Sequence, residues 1–155
     1  GFSFIYQVIS EFAVAFVYMC ISLLLPFIVL IALYNFDYMD IEPVSLLMAS
    51  LPLVMVLTAI YQLIYELISD FIAAISTSFV LSMAYLSGVF YPASFFADEI
   101  KLFIKFLPIN SGLEIMQGVF LSQQKGGNVA LLVFYSLIAI LLSIVIRRRR
   151  ILKSA

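Results

Sequence analysis

The sequence predicts an all-α membrane protein, a polytopic bundle of four transmembrane helices with a short amphipathic helix pair before the last span. Of the 155 residues, 65% are hydrophobic and only 11% are charged. Soluble domains carry charge on about a quarter of their residues. The charges also cluster in short stretches that separate long apolar segments. Since a membrane helix needs about 20 mainly apolar residues, these segments can be tested for length.

Four apolar segments satisfy this length requirement. They cover residues 5–34, 43–65, 71–91 and 129–146. Pro43 is expected in the first turn of the second span, where its missing N–H costs no hydrogen bond. Pro92 ends the third span, because proline cannot continue a helix. Asn128 directly precedes the fourth span and is expected to cap it.

Between the third and fourth spans the sequence predicts two short helices. In residues 97–107 apolar and charged side chains fall on opposite faces, which is typical of an amphipathic helix at a membrane surface. Pro108 ends this helix, and Ser111 followed by Glu114 has the capping-box pattern for a second helix over 112–121. About ten residues reach only about 15 Å, too short to cross a bilayer. The pair either lies at the surface or dips into the membrane and returns, and we favour the dipping arrangement.

The orientation in the membrane follows from a basic block directly after the fourth span. The block contains Arg147, Arg148, Arg149 and Arg150. Basic residues beside a span favour the cytoplasm. We therefore expect a multi-pass plasma-membrane protein with its C-terminus inside, segment 92–127 outside, and the turn that contains Glu66 and Asp70 in the cytosol. The block is interpreted as a membrane anchor, with recognition of anionic lipid or nucleic acid as the alternatives.

The sequence carries little that could perform catalysis. It contains no histidine, and no GxxxxGK[ST] loop for binding nucleotide phosphates. Its acidic residues do not cluster as a metal site or as a general acid and base. We therefore expect neither an enzyme nor a chain with its own cofactor or metal.

Small polar residues recur on one face of the third span. Ser78 and Ser82 are one helical turn apart, and Tyr85 follows them. In lipid, small residues let helices approach closely and hydroxyls bond across an interface. The stripe therefore predicts either helix packing or the lining of a translocation pathway. Glu114 is the ionisable residue expected at greatest depth, where charge is usually functional, although its capping position also explains it locally.

Three short motifs, taken in order, resemble the permease domain of ABC-2-type ABC exporters. They are LSGVFYP at 86–92, FLPI at 106–109 and LEIMQG at 113–118. The resemblance covers about residues 71–146, and the first two spans match by hydropathy alone. It implies an outer gate formed by the re-entrant segment. The gate residues would be Gly88, Pro92, Pro108, Ser111 and Glu114.

Permease domains of that family have six spans, work as dimers and are driven by cytosolic ATPase domains. The resemblance implies that this chain is one permease domain, or a fragment of one that carries the third to sixth spans. Its implied partners are an ABC ATPase with ATP and Mg²⁺, a second permease copy and membrane lipid, but no nucleic acid. The expected function is export by alternating access, with the substrate open. A non-transporting scaffold or immunity-type protein, and a self-assembled channel, are the alternatives.

Overall fold

A computed structural model describes residues 3–33, 43–68, 75, 78–82, 95–120 and 128–154. The helices with defined bounds are α1 (Ser3–Leu33), α2 (Pro43–Leu67), α3 (Asp98–Ile104), α4 (Pro108–Phe120) and α5 (Val129–Ser154). Residues 78–82 are also helical, and none of the described residues is in a strand. The predicted all-α class is confirmed.

Within the part of the chain that the structure describes, three helices are long and apolar enough to cross a membrane. The candidate spans are Ser3–Leu25, Val44–Leu67 and Val129–Lys153. They correspond to the first, second and fourth predicted spans and fit a membrane-embedded protein. Large apolar side chains on them are exposed, including Val14 at 70% and Leu25 at 71%, as expected for helices surrounded by lipid. The third predicted span, 71–91, lies mostly outside the described residues.

Local signals explain where two of the long helices begin. Helix α2 starts at Pro43, as predicted. The side-chain oxygen of Asn128 accepts a hydrogen bond from the Leu131 N–H at 3.3 Å, which confirms the predicted cap of α5. Helix α5 continues past the predicted end at residue 146 to Ser154, because the arginines that follow are good helix formers.

The helix pair between the third and fourth predicted spans has different bounds from those expected. Helix α3 covers Asp98–Ile104 and is shorter than the predicted 97–107. Helix α4 begins at Pro108 and has 13 residues, so it is about 20 Å long and still too short to cross a bilayer. It starts early because proline at the first helical position needs no N–H partner and has a helical φ.

The predicted capping box is therefore wrong. Ser111 lies inside α4, and its N–H donates to the Leu107 carbonyl at 3.3 Å. Glu114 accepts a hydrogen bond at 3.0 Å from the side chain of Asn110, one turn earlier on the same helix. The local S-x-x-E pattern was correct in its spacing, but Pro108 supplies the helix start one turn upstream.

Helix α2 contacts α1, α4 and α5, and α5 also contacts α1 and α4. The turn between α3 and α4 packs against the middle of the long helices, where Leu107 and Pro108 share a groove with Ile60 and Ala139. The Tyr135 hydroxyl of α5 donates to the Phe106 carbonyl in this turn at 2.8 Å. The turn is thus attached to the sides of α2 and α5 rather than to their ends.

Helix α4 packs tightly against α2 at Gly112. A Cβ atom at this position would lie 2.7 Å from Leu53 Cδ1 and 2.9 Å from Leu53 Cβ, well inside normal contact distances. Only glycine, which has no Cβ, allows α4 to lie this close to α2 without displacing Leu53.

Candidate functional site

Four polar side chains from three helices meet at one end of the bundle. We call them the polar network: Glu11 of α1, Gln62 and Glu66 of α2, and Arg147 of α5. Gln62 and Glu66 are one turn apart on the same face of α2, and both are buried. An apolar environment offers such groups no water, so they must find partners on neighbouring helices.

Arg147 is the centre of the polar network. Its Nη1 donates to Glu11 Oε1 at 3.0 Å, and its Nη2 donates to Glu11 Oε2 at 2.6 Å. This two-pronged geometry is the strongest that arginine makes with a carboxylate. Nη2 also donates to Glu66 Oε1, and Gln62 Nε2 donates to Glu11 Oε2 at 3.1 Å. One guanidinium therefore joins α1, α2 and α5.

Burial differs strongly among the three charged groups. The Glu66 side chain is 3% exposed and that of Arg147 is 14% exposed, whereas that of Glu11 is 46% exposed. A buried carboxylate without a partner is costly, so Glu66 depends on Arg147. With all three groups ionised, two negative charges face one positive charge. The polar network itself then carries a net charge of one negative unit. Glu11 is its most exposed charged residue, so this negative charge can be reached from outside the bundle at Glu11.

The polar network shows how the long helices run relative to one another. Glu11 is near the start of α1, whereas Glu66 and Arg147 are near the ends of α2 and α5. Their contacts place α1 antiparallel to α2, and α2 parallel to α5. This is the relative arrangement that the four-span prediction requires of its first, second and fourth spans.

Two residues of the polar network, Glu66 and Arg147, were predicted to lie at the membrane surface. Glu66 was expected in a cytosolic turn with Asp70, but it lies in the last turn of α2 and is buried. Arg147 was expected to anchor the helix at the membrane surface, but its side chain turns inward to two carboxylates. Arg148, Arg149 and Arg150 are exposed, as an anchor requires. Helix phase causes the difference, because adjacent residues of a helix point in different directions.

Sequence reasoning missed the role of Glu11 and Gln62. The sequence did contain a signal. The first, second and fourth predicted spans carry Glu11, Glu66 and Arg147 near one end, and spans that alternate in direction bring these three ends to the same side of the membrane. Thr58, Gln62 and Glu66 also recur every four residues, which marks one polar face on α2. That face is buried in the structure.

Within the described residues, small side chains pack closely on α5 and α2, whereas the described serines of the predicted third span are exposed. Ser136, Ala139 and Ser143 of α5 and Ala59 of α2 are almost fully buried. The Ser136 and Ser143 hydroxyls donate to carbonyls one turn earlier in their own helix, at 2.8 and 2.9 Å. Each hydroxyl is thus satisfied within α5, and α5 presents a narrow face to its neighbours.

The residues proposed for a translocation pathway are only partly described. Ser78 and Ser82 are exposed, and the Ser82 hydroxyl donates to the Ser78 carbonyl at 2.8 Å. Tyr85, Gly88, Pro92 and Asp70 lie outside the described residues. Pro108 and Ser111 are buried, and Glu114 is half-buried. The structure thus brings the described gate residues together on α4, at a distance along the spans from the polar network.

An open groove runs along the surface between α1 and α2, beginning at the polar network. Its volume is about 600 Å³. Glu11 and Tyr18 of α1 and Thr58 and Tyr61 of α2 are among the residues that line it. We call it the α1–α2 groove. Its surface is mainly apolar, with the Glu11 carboxylate at one end.

No protein-family model, curated protein or solved structure matches the chain. The function proposed below therefore rests on the sequence and on the geometry just described.

Proposed function

We propose that this chain is a membrane-spanning subunit of an ATP-driven exporter of the ABC-2 type, in which a partner ATPase switches the spans between inward and outward access. The observation that supports it is the position of the α3–α4 pair. A short helix pair that precedes the last span and enters the bundle from its outer side is what the motif resemblance leads us to expect.

The depth of the pair follows from helix geometry. Glu66 and Arg147 lie at one level because they are paired. At 1.5 Å per residue, Leu53 is about 20 Å and Tyr135 about 18 Å from that level, so both contacts of the pair fall within a hydrocarbon core of about 30 Å. Backbone at such depth must be covered by protein, and α2 and α5 supply that cover. The pair is therefore re-entrant in this proposal, with Pro108, Ser111 and Glu114 in an outer gate.

The polar network gives the proposed mechanism a rigid inner end. Because Arg147 bonds to both Glu11 and Glu66, a push on the cytosolic end of one helix is transmitted to all three. ATP binding on the partner would favour one of two arrangements of this unit, which is the requirement for coupling. In this proposal the basic Arg148, Arg149 and Arg150 favour a cytosolic position for this end, and the exposed Ser78 and Ser82 would face a second permease copy.

The test is site-directed crosslinking to the ATPase. Single cysteines are introduced at Ile68, at the polar-network end, and at Phe95, next to α3, with Cys20 changed to alanine. Both native side chains are exposed. In membranes from the native cell, a thiol crosslinker should join the Ile68→Cys protein to a chain that hydrolyses ATP. The Phe95→Cys protein should form no such adduct, and in intact cells only Phe95→Cys should react with an impermeant thiol reagent.

Other outcomes separate the alternatives. A crosslinked partner without nucleotide-binding activity would replace the exporter by the scaffold or immunity-type protein. Ion conductance of the purified chain in planar bilayers without ATP would favour the self-assembled channel. Labelling of Ile68→Cys rather than Phe95→Cys from outside would reverse the orientation.

A further inference from the structure

The α1–α2 groove has a charged end and an apolar remainder. From Glu11 to Met19, the groove follows α1 for about 12 Å toward the middle of the span. Val14, Tyr18 and Met19 form its apolar wall on α1, and Tyr61 faces them from α2. The charged group is at the end near the membrane surface, and the apolar surface extends inward from it.

Charge in this groove favours one class of occupant. Among the described residues that line the groove, Glu11 is the one that carries a charge, and its side chain is 46% exposed. Arg147 is already shared between Glu11 and Glu66, so it does not neutralise both carboxylates. The exposed Arg148, Arg149 and Arg150 are at the same end of the bundle but are not among the residues that line the groove. Charge complementarity with the lining therefore favours a monovalent cation over an anion. Lipid acyl chains match the apolar wall but carry no positive charge to complement the Glu11 carboxylate.

Aromatic residues strengthen the preference for cations. Tyr18 and Tyr61 line the groove and are 70% and 40% exposed, so their rings are accessible to an occupant. The faces of such rings attract positively charged groups, most strongly where water is excluded. The Thr58 hydroxyl donates to the Val54 carbonyl at 2.8 Å, so its hydrogen is already bonded within α2.

We propose that the α1–α2 groove binds lipophilic organic cations, with the apolar body against Val14, Met19 and the tyrosines and the positive charge beside Glu11. If these cations are also the exported substrate, that role rests on the proposed function, since only an exporter would transport them. Binding itself requires only this chain.

The test uses a cation and an anion of the same shape. Purified full chain in nanodiscs of uncharged lipid is incubated with radiolabelled tetraphenylphosphonium or tetraphenylborate, and empty nanodiscs give the partitioning background. Tetraphenylphosphonium should bind saturably, and tetraphenylborate should not. Glu11→Gln keeps the size of the side chain and should weaken cation binding by about tenfold, because the attraction between the carboxylate and the cation is lost.

Two further variants keep the result interpretable. Glu99→Gln removes an exposed carboxylate from α3 and should bind like the unmodified chain. Ala15→Phe adds a large side chain in the α1–α2 groove at a residue outside the polar network, so it should abolish binding. This variant tests the groove even where Glu11→Gln does not fold. Equal affinity of the unmodified chain and Ala15→Phe, no saturable binding of the cation, or equal binding of the anion would overturn the proposal.

This binding test contains no ATPase, so it can fail or succeed independently of the proposed function. Saturable binding without any ATPase crosslink would leave the site in place and remove the exporter. An ATPase crosslink without saturable cation binding would leave the exporter in place and remove this substrate class.

Discussion

Helix α2 is held by charge near Glu66 and by close steric fit near Leu53. At Glu66 the contact is a guanidinium shared with Glu11, and every partner carries charge or a hydrogen bond. At Leu53 the partner is Gly112, which contributes nothing but the absence of a side chain. Lipid surrounds both places and provides no hydrophobic force between helices, so association must come from polar pairing or from close packing.

The two contacts should respond to opposite kinds of change. Removing one member of the polar network leaves a charge without a partner where water is scarce. Adding atoms at the steric contact forces the helices apart. The first contact is therefore sensitive to deletion and the second to enlargement, and the following variants test that contrast.

The largest effect is expected for Arg147→Met. The change keeps a long side chain but leaves the buried Glu66 unpaired, which should cost about 3–5 kcal/mol of stability. Unfolding of the purified protein in mixed micelles, followed by circular dichroism against denaturant concentration, measures the loss.

The matched control for that variant removes the carboxylates as well. Arg147→Met combined with Glu11→Gln and Glu66→Gln leaves no unpaired charge, so most of the lost stability should return. If the triple variant is as unstable as Arg147→Met alone, packing of the arginine side chain rather than its charge holds this end together.

The next effect is expected for Gly112→Leu at the steric contact. Overpacking should destabilise the protein by about 1–3 kcal/mol, since α4 must move away from α2. The compensating change Leu53→Ala, added to Gly112→Leu, should restore part of the loss in the same denaturant titration. Independent, additive losses in the double variant would show that the two residues do not share one contact.

A smaller effect is expected for Asn128→Ala. Asn128 lies outside both contacts, so the loss of stability in this variant is a reference for the losses at the two contacts. Loss of the cap should cost about 1 kcal/mol, and Asn128→Ser should retain most of it because serine also caps helices. Hydrogen exchange should speed up in the first turn of α5 and not at the polar network. Faster exchange around Arg147 would mean that the start and end of α5 are coupled.

The smallest effect is expected for Tyr135→Phe. This change removes one neutral hydrogen bond to the Phe106 carbonyl, and such bonds in membrane proteins are worth about 0.6 kcal/mol on average. The stability should fall by that amount, with faster hydrogen exchange in the α3–α4 turn. A loss of stability as large as that of Arg147→Met would mean that the turn is attached mainly through Tyr135. A single neutral hydrogen bond would then matter as much as the polar network.

The all-α membrane class and several helix bounds could be predicted from the sequence. Three of the four predicted spans correspond to candidate spans among the described residues, and the starts at Pro43 and Asn128 follow from chemistry within one turn of each residue. Such features are readable because their causes are local. The capping pattern at Ser111 was misread for a related reason, since two local signals competed and Pro108 began the helix first.

Which polar residues meet depends on how the helices pack, and this could not be predicted from the sequence. Glu11 and Arg147 are 136 residues apart, and no local pattern distinguishes Arg147 from the three arginines that follow it. Their pairing depends on the relative rotation of α1, α2 and α5, and that rotation is set by contacts along the whole length of these helices. The approach of Gly112 to Leu53 has the same origin. How deeply a charged residue is buried in this bundle, and which residue it pairs with, depend on how the helices pack. The spacing of residues along a single helix carries no information about that packing.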